Sequence, residues 1–268
     1  MKHDRFLRTH PVFRSDELGA HLAAQGEVGP RTRESLLTYY RRAGRILVLR
    51  RGLYAVVPPG ADPDSFPVDP FLVAARATTD AVLAYHTALQ FHGRAYSFGN
   101  QFTYGSANPV RPFEYQTHVY RGVKSHASLR RATKEDLGVM LAERSGLDVR
   151  VTTLERTFVD VLSRPDLSGG WEEIWRSLES IEYFDIDQVL EYVRLLGNAT
   201  TAAKAGFFLE QHREELMVTD DQLNVLRAQS PKQPTYLERG SEATGRFLAG
   251  WNLVVPQEIL DRSWSEPA

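Results

Sequence analysis

The sequence predicts an α+β protein: an N-terminal winged helix-turn-helix followed by a larger mixed α+β domain with a helical C-terminal half. Three observations lead there. The first fifty-eight residues carry helix, turn, helix and hairpin signals in that order. The same stretch holds eleven Lys/Arg against five Asp/Glu, net +6, in a chain whose overall charge is −2. Beyond it, strand-like composition occupies the middle of the chain, and helical periodicity the remainder.

Ser15-Asp16-Glu17 reads as a helix start, Leu18 and Leu22 lie one turn apart, and Gln25-Gly26 closes the segment. The turn Glu27-Val28-Gly29 leads to Pro30, which suits the first position of a second helix running to about Ala43, with Gly44 as its stop. Strands at 46–49 and 53–57 flank Arg50-Arg51-Gly52, where glycine permits a hairpin turn. Residues 58–67 then hold four prolines and a glycine, which neither a helix interior nor a central strand tolerates. The predicted layout is therefore a DNA-binding domain at 1–58, a Pro-rich linker at 59–68 and an α+β domain at 69–268. Within the last, helices are expected from Asp69-Pro70 through Arg76 and from Ala81 to Phe91. Strands are expected at Phe102–Tyr104, Tyr115–Tyr120 and Asp148–Val151. Trp171, Ile174, Trp175, Leu178 and Ile181 mark one later helix, and Ile186, Val189, Leu190 and Val193 the next.

At 100° per residue, Leu36, Leu37, Tyr40 and Ala43 share one side of the 30–43 helix, and Arg31, Glu34, Ser35, Thr38, Arg41 and Arg42 the other. An Arg/Ser/Thr side suits the major groove, where arginine reaches guanine edges and hydroxyls bond bases or phosphates. The candidate DNA contacts are Arg31, Arg33, Ser35, Thr38, Arg41, Arg42 and Arg45, with Arg50 and Arg51 at the hairpin tip for phosphate or minor-groove contact. Glu34 is the awkward member, since it repels phosphate unless it accepts from a cytosine amine or lies at the rim.

No catalytic constellation emerges. His86 and His92, six apart on a predicted helix, fall on opposite sides and cannot share a metal. Gly169-Gly170 precedes a helix, yet no Gly-Lys-Ser/Thr follows to make a phosphate loop. Gly105-Ser106 lacks the paired aspartates that would hold magnesium. In Glu155-Arg156-Thr157-Phe158-Val159-Asp160, an i,i+4 ion pair between Arg156 and Asp160 accounts for the charges. The absence of cysteine removes disulfides, thiolate catalysis and sulfur-ligated zinc. No run approaches eighteen apolar residues, and the start Met1-Lys2-His3-Asp4-Arg5 leads into polar sequence, so a cytoplasmic protein without membrane contact is expected. No enzyme activity, cofactor or metal is predicted.

Four elements follow one another along the chain: Gly44-Arg45-Ile46 leading to Arg50-Arg51-Gly52-Leu53-Tyr54; Asp69-Pro70-Phe71, then Ala84-Tyr85-His86-Thr87-Ala88-Leu89-Gln90-Phe91-His92-Gly93; Glu155-Arg156-Thr157 with Asp160; and Gly169-Gly170. Together they resemble AbiEi-type antitoxins of bacterial type IV toxin-antitoxin systems. The first is similar to the wing of that family, the second to its S-A-L-x-x-H-G helix, and the last two to its E-R-T-x-x-D and G-G elements. The likeness extends to about Gly206. It implies a DNA-binding N-terminal domain that represses its own operon at inverted repeats on double-stranded DNA, as a monomer or homodimer. It also implies a C-terminal domain that counteracts a nucleotidyltransferase-like toxin, with or without a stable complex. The residue reading leaves open a stand-alone winged-helix regulator whose acidic body senses a ligand or oligomerises.

Overall fold

The computed structural model describes residues 4–26, 29–238 and 245–261, which form helices and three separate sheets. The chain groups into two compact units. One comprises Met1–Leu83, Asn100–Lys124 and Leu141–Val151, the other Ala84–Gly99, Ser125–Met140 and Thr152–Ala268. This division differs from the layout read from sequence. The Pro-rich stretch is irregular as expected, its turn held by the Asp62 carboxylate accepting from Ser65 Oγ at 2.8 Å, but it lies inside the first unit.

The first unit opens with α1 (Asp4–Thr9) and β1 (Val12–Arg14), neither of which the sequence reading assigned. α2 (Ser15–Ala24) and α3 (Pro30–Arg42) follow, then the hairpin β2 (Ile46–Arg50) and β3 (Leu53–Val56). The expected turn residues Glu27 and Val28 lie outside the described residues. β1 pairs antiparallel with β3, Phe13 opposite Tyr54, so the sheet order is β1-β3-β2. The two helices followed by a hairpin occur in the order of the sequence reading. Phe6, Leu7, Phe13, Leu18, Leu22, Leu37, Tyr40 and Ile46 make its core, whereas Ala43, expected on the apolar side, is exposed.

α4 (Pro70–Arg76) starts where Asp69-Pro70 predicts, with the Asp69 carboxylate accepting from Phe71 N at 3.0 Å and proline at the first helical turn. The expected helix from Ala81 is corrected: Val82–Leu83 form β4, and α5 begins only at His86 and ends at Phe91. β4 is an interior strand of a six-stranded sheet, ordered β6-β7-β5-β4-β9-β8. Its members are β5 (Gln101–Ser106), β6 (Phe113–Tyr115), β7 (His118–Lys124), β8 (Val139–Arg144) and β9 (Leu147–Thr152). The single strand expected over 115–120 is two, because Gln116 adopts φ +52 and turns the chain between β6 and β7. Leu83 pairs antiparallel with Tyr104 and parallel with Val151, which joins the two halves of this sheet.

The second unit is mainly helical: α6 (Ala127–Ala132), α7 (Leu154–Ser163), α8 (Trp171–Glu179), α9 (Ile186–Leu196), α10 (Ala199–Gln211) and α11 (Asp220–Gln229). The periodic residues of α8 and α9 are buried as expected, in a core that includes Phe158, Trp175, Phe208 and Leu226. A small sheet of β10 (Thr235–Tyr236), β12 (Leu253–Pro256) and β11 (Gly245–Leu248), then α12 (Gln257–Leu260), completes it.

Candidate nucleic-acid interface

α3 is held by its inner side. Leu37 and Tyr40 are buried in one cluster with Leu18 and Leu22 of α2, and Leu36 packs against it, so the opposite side of the helix faces outward. Arg31, Ser35, Thr38 and Arg42 are all exposed and fall within about 60° of arc at 100° per residue. Arg41, Glu34 and Tyr39 flank them and are also exposed. The two arginines of the last turn further suit the negative end of the helix dipole.

Three of the nine sequence candidates are engaged within the chain. Arg33 sits on the inward half of α3 and is half-buried. A Cβ added at Gly19 of α2 would lie 3.2 Å from its guanidinium, so that side chain lies across the α2 glycine. Arg45 bonds Asp4 Oδ1 at 2.8 Å and lies over the Tyr40 ring at 5.3 Å, fastening the end of α3 to α1. Arg50 donates to the Ala77 carbonyl and lies 5.0 Å above the Phe113 ring, so it is packing, not a free wing tip. Arg51 is the exposed cation of the hairpin. Gly52 turns with φ +82, and its carbonyl accepts from Ser15 N at 2.9 Å, tying the hairpin to the start of α2.

His86, His92, Glu173, Arg156 and Asp160 of the second unit are all engaged within the chain. His86 Nε2 donates to Glu173 Oε1 at 2.9 Å, and His92 Nε2 donates to the Thr152 carbonyl at 2.8 Å, so neither ring faces the other. Glu173 escaped the sequence reading. Burial works to raise its pKa, but bonds from His86 and from the Ser97 hydroxyl and N–H outweigh it and hold the carboxyl at about 2. The expected ion pair of α7 is present and buried: Arg156 Nε lies 3.4 Å from Asp160 Oδ2, and Tyr192 donates to Asp160 Oδ1 at 2.6 Å. Arg156 also caps the carbonyls of Glu135 and Leu137 at 2.8 and 2.7 Å. Each of these donors has a protein acceptor, which describes a scaffold. Among the described residues no group of three or more His, Cys, Asp or Glu could hold a metal ion, and no helix is long and apolar enough to cross a membrane.

No family model matches the chain, and no curated protein does. A solved structure, the RV2827C protein from Mycobacterium tuberculosis, is similar with a TM-score of 0.57, covering 94% of this chain and 89% of that one. The identity is 16%. This is a likeness of fold. It spans both compact units, so the arrangement of elements extends across nearly all of each chain.

Proposed function

We propose that the chain is a non-catalytic DNA-binding antitoxin of the bacterial cytoplasm that represses its own operon and counteracts a nucleotidyltransferase-like toxin. One observation carries this reading: Arg31, Ser35, Thr38 and Arg42 stand exposed on a single side of α3. That side offers guanidinium forks for guanine O6 and N7 and hydroxyls for bases or phosphate. Arg41 on α3 and Arg51 on the hairpin are exposed as well and offer further charge for phosphate. Charge is divided in the same sense. The unit bearing α3 has 17 Lys/Arg against 12 Asp/Glu, net +5, and the other 15 against 22, net −7. A polyanion suits the first, and a separate, non-nucleic-acid task suits the second. Inverted repeats take two heads, from a homodimer or from two monomers meeting on the operator.

The test is a salt series of gel shifts on the DNA upstream of the chain's own operon, comparing wild type with the Arg42→Ala/Arg51→Ala double variant. The variant is expected to bind more weakly, with a log-log salt slope shallower by about 0.9 for each phosphate it no longer neutralises. Equal affinity at low and high salt would sink the assignment. A stand-alone ligand-responsive regulator is the second reading, favoured by a cleft in the first unit. The adjacent open reading frame separates the two, since a nucleotidyltransferase-like neighbour belongs only with the first.

A further inference from the structure

A cleft of about 690 Å³ opens in the first unit between α1, the end of β3 and the segment that leads into α4. Its volume falls within the range of about 300 to 1,000 Å³ that holds small organic ligands. Leu7, Val12, Val57, Phe66, Val68 and Leu72 contribute apolar edges, and prolines of the 58–67 segment stiffen one wall. Four charged groups around it are matched in pairs. Arg45 bonds Asp4, and Asp69 both caps α4 and takes Arg144 Nε at 2.6 Å. Arg5 and Arg8, one turn apart on α1, line the cleft and have no carboxylate partner among the described residues. An apolar recess with two unopposed guanidinium groups at its edge selects for a molecule that is apolar along its body and negatively charged at one end.

We infer that this cleft binds an amphipathic organic anion of the medium-chain carboxylate type. The chain lies along the valine, leucine and proline edges, and the carboxylate meets Arg5 and Arg8. A neutral molecule of the same length has the apolar edges alone. The site also has a line of communication to the proposed DNA head. Arg45 follows α3 by three residues, and Val56 and Val57 are the end of β3 and its continuation, so two edges of the cleft adjoin α3 and the hairpin that carry Arg42 and Arg51.

Titration calorimetry on the full chain with decanoate and with decan-1-ol tests the site without reference to DNA. Decanoate is expected to bind once per chain and about tenfold more tightly than decan-1-ol. The Arg5→Ala/Arg8→Ala variant, altered only at exposed positions, is expected to bring decanoate down to the decan-1-ol level. Equal binding of acid and alcohol, no decanoate heat, or an undiminished preference in the double variant each overturn the inference. The link to DNA rests on the function proposed above and is read separately, by repeating the operator gel shift with saturating decanoate. A change in affinity supports it, and unchanged affinity overturns the link alone. Failure to bind the operator without decanoate counts against the DNA-binding reading and leaves the calorimetry untouched.

Discussion

Glu173→Gln replaces an ionised buried carboxylate by an amide of the same shape, and its cost follows from the acceptor count. The carboxylate takes His86 Nε2 at 2.9 Å, Ser97 N at 3.1 Å, Ser97 Oγ at 2.6 Å and Ser177 Oγ at 3.0 Å. Those bonds fix the 95–99 loop against α8, where Tyr96 N also donates to Ser177 Oγ and Phe98 is left 88% exposed. The carboxyl pKa falls from 4.5 to about 2 on folding, which corresponds to about 3 kcal/mol of stabilisation at neutral pH. Because the folded pKa is depressed, that stability is complete above about pH 4.5 and is lost as the pH falls toward 2; near pH 3 about 2 kcal/mol of it is gone. The amide has no such dependence. All four tryptophans lie between Trp171 and the C-terminus, so urea unfolding followed by their fluorescence reports this unit. The variant is expected to be about 3 kcal/mol less stable than wild type at pH 7, with the gap narrowing to about 1 kcal/mol at pH 3. Taking the difference between the two proteins removes the titration of groups that do not contact Glu173. A gap that is absent at pH 7, or constant between the two pH values, refutes the argument.

Tyr192→Phe deletes the hydroxyl that donates to buried Asp160 at 2.6 Å, leaving one carboxylate oxygen short of a donor; a loss of about 1 to 3 kcal/mol is expected in the same unfolding assay. Gly206→Ala is expected to cost about 3 kcal/mol, because its Cβ would stand 2.1 Å from Trp251 Cζ3, and that indole is buried and fixed by its bond to Glu210 at 2.7 Å. Arg50→Ala is expected to lower the melting temperature, since the guanidinium bonds the Ala77 carbonyl and covers Phe113, yet to leave the salt slope of operator binding unchanged. A shallower slope for Arg50→Ala would return that residue to the interface.

The elements that the sequence reveals are those whose pattern is local. α2, α3 and the hairpin each have a start signal, a period and a glycine or proline stop within fifteen residues. α8 and α9 likewise bury one side only, so their 3.6-residue phase is visible. β4 has no phase to read: residues 81–90 are buried without exception, and a continuous apolar run fits a helix and an interior strand equally well. What makes Val82–Leu83 a strand is pairing with Tyr104 and Val151, residues 21 and 68 positions away. β8 is hidden for the opposite reason. Val-Met-Leu-Ala-Glu-Arg is rich in helix formers, and as an edge strand it is mostly exposed or half-buried, so tertiary pairing overrides its propensity. α1 spans six residues, too short for a period to declare itself.

The same distinction sorts the cations. A count of charge treats all ten arginines of the head alike, and the sequence reading took seven of them, from the 30–43 helix, its end and the hairpin tip, as DNA contacts. Helical phase alone already separates Arg33, which at 100° per residue falls between Tyr40 and Leu37 on the buried half of α3. Nothing local separates Arg45 from Arg42 or Arg50 from Arg51. Their partners are Asp4, 41 positions upstream, and Ala77 and Phe113, 27 and 63 positions downstream. A guanidinium already bonded in the folded chain must give up that bond before it neutralises phosphate, so Arg45 and Arg50 add to the net charge of the head without adding to its reach. Of the seven, Arg31, Arg41, Arg42 and Arg51 are exposed, and under the proposed reading it is their spacing on α3 and the hairpin, rather than the net charge of +6, that limits how many phosphates one head meets.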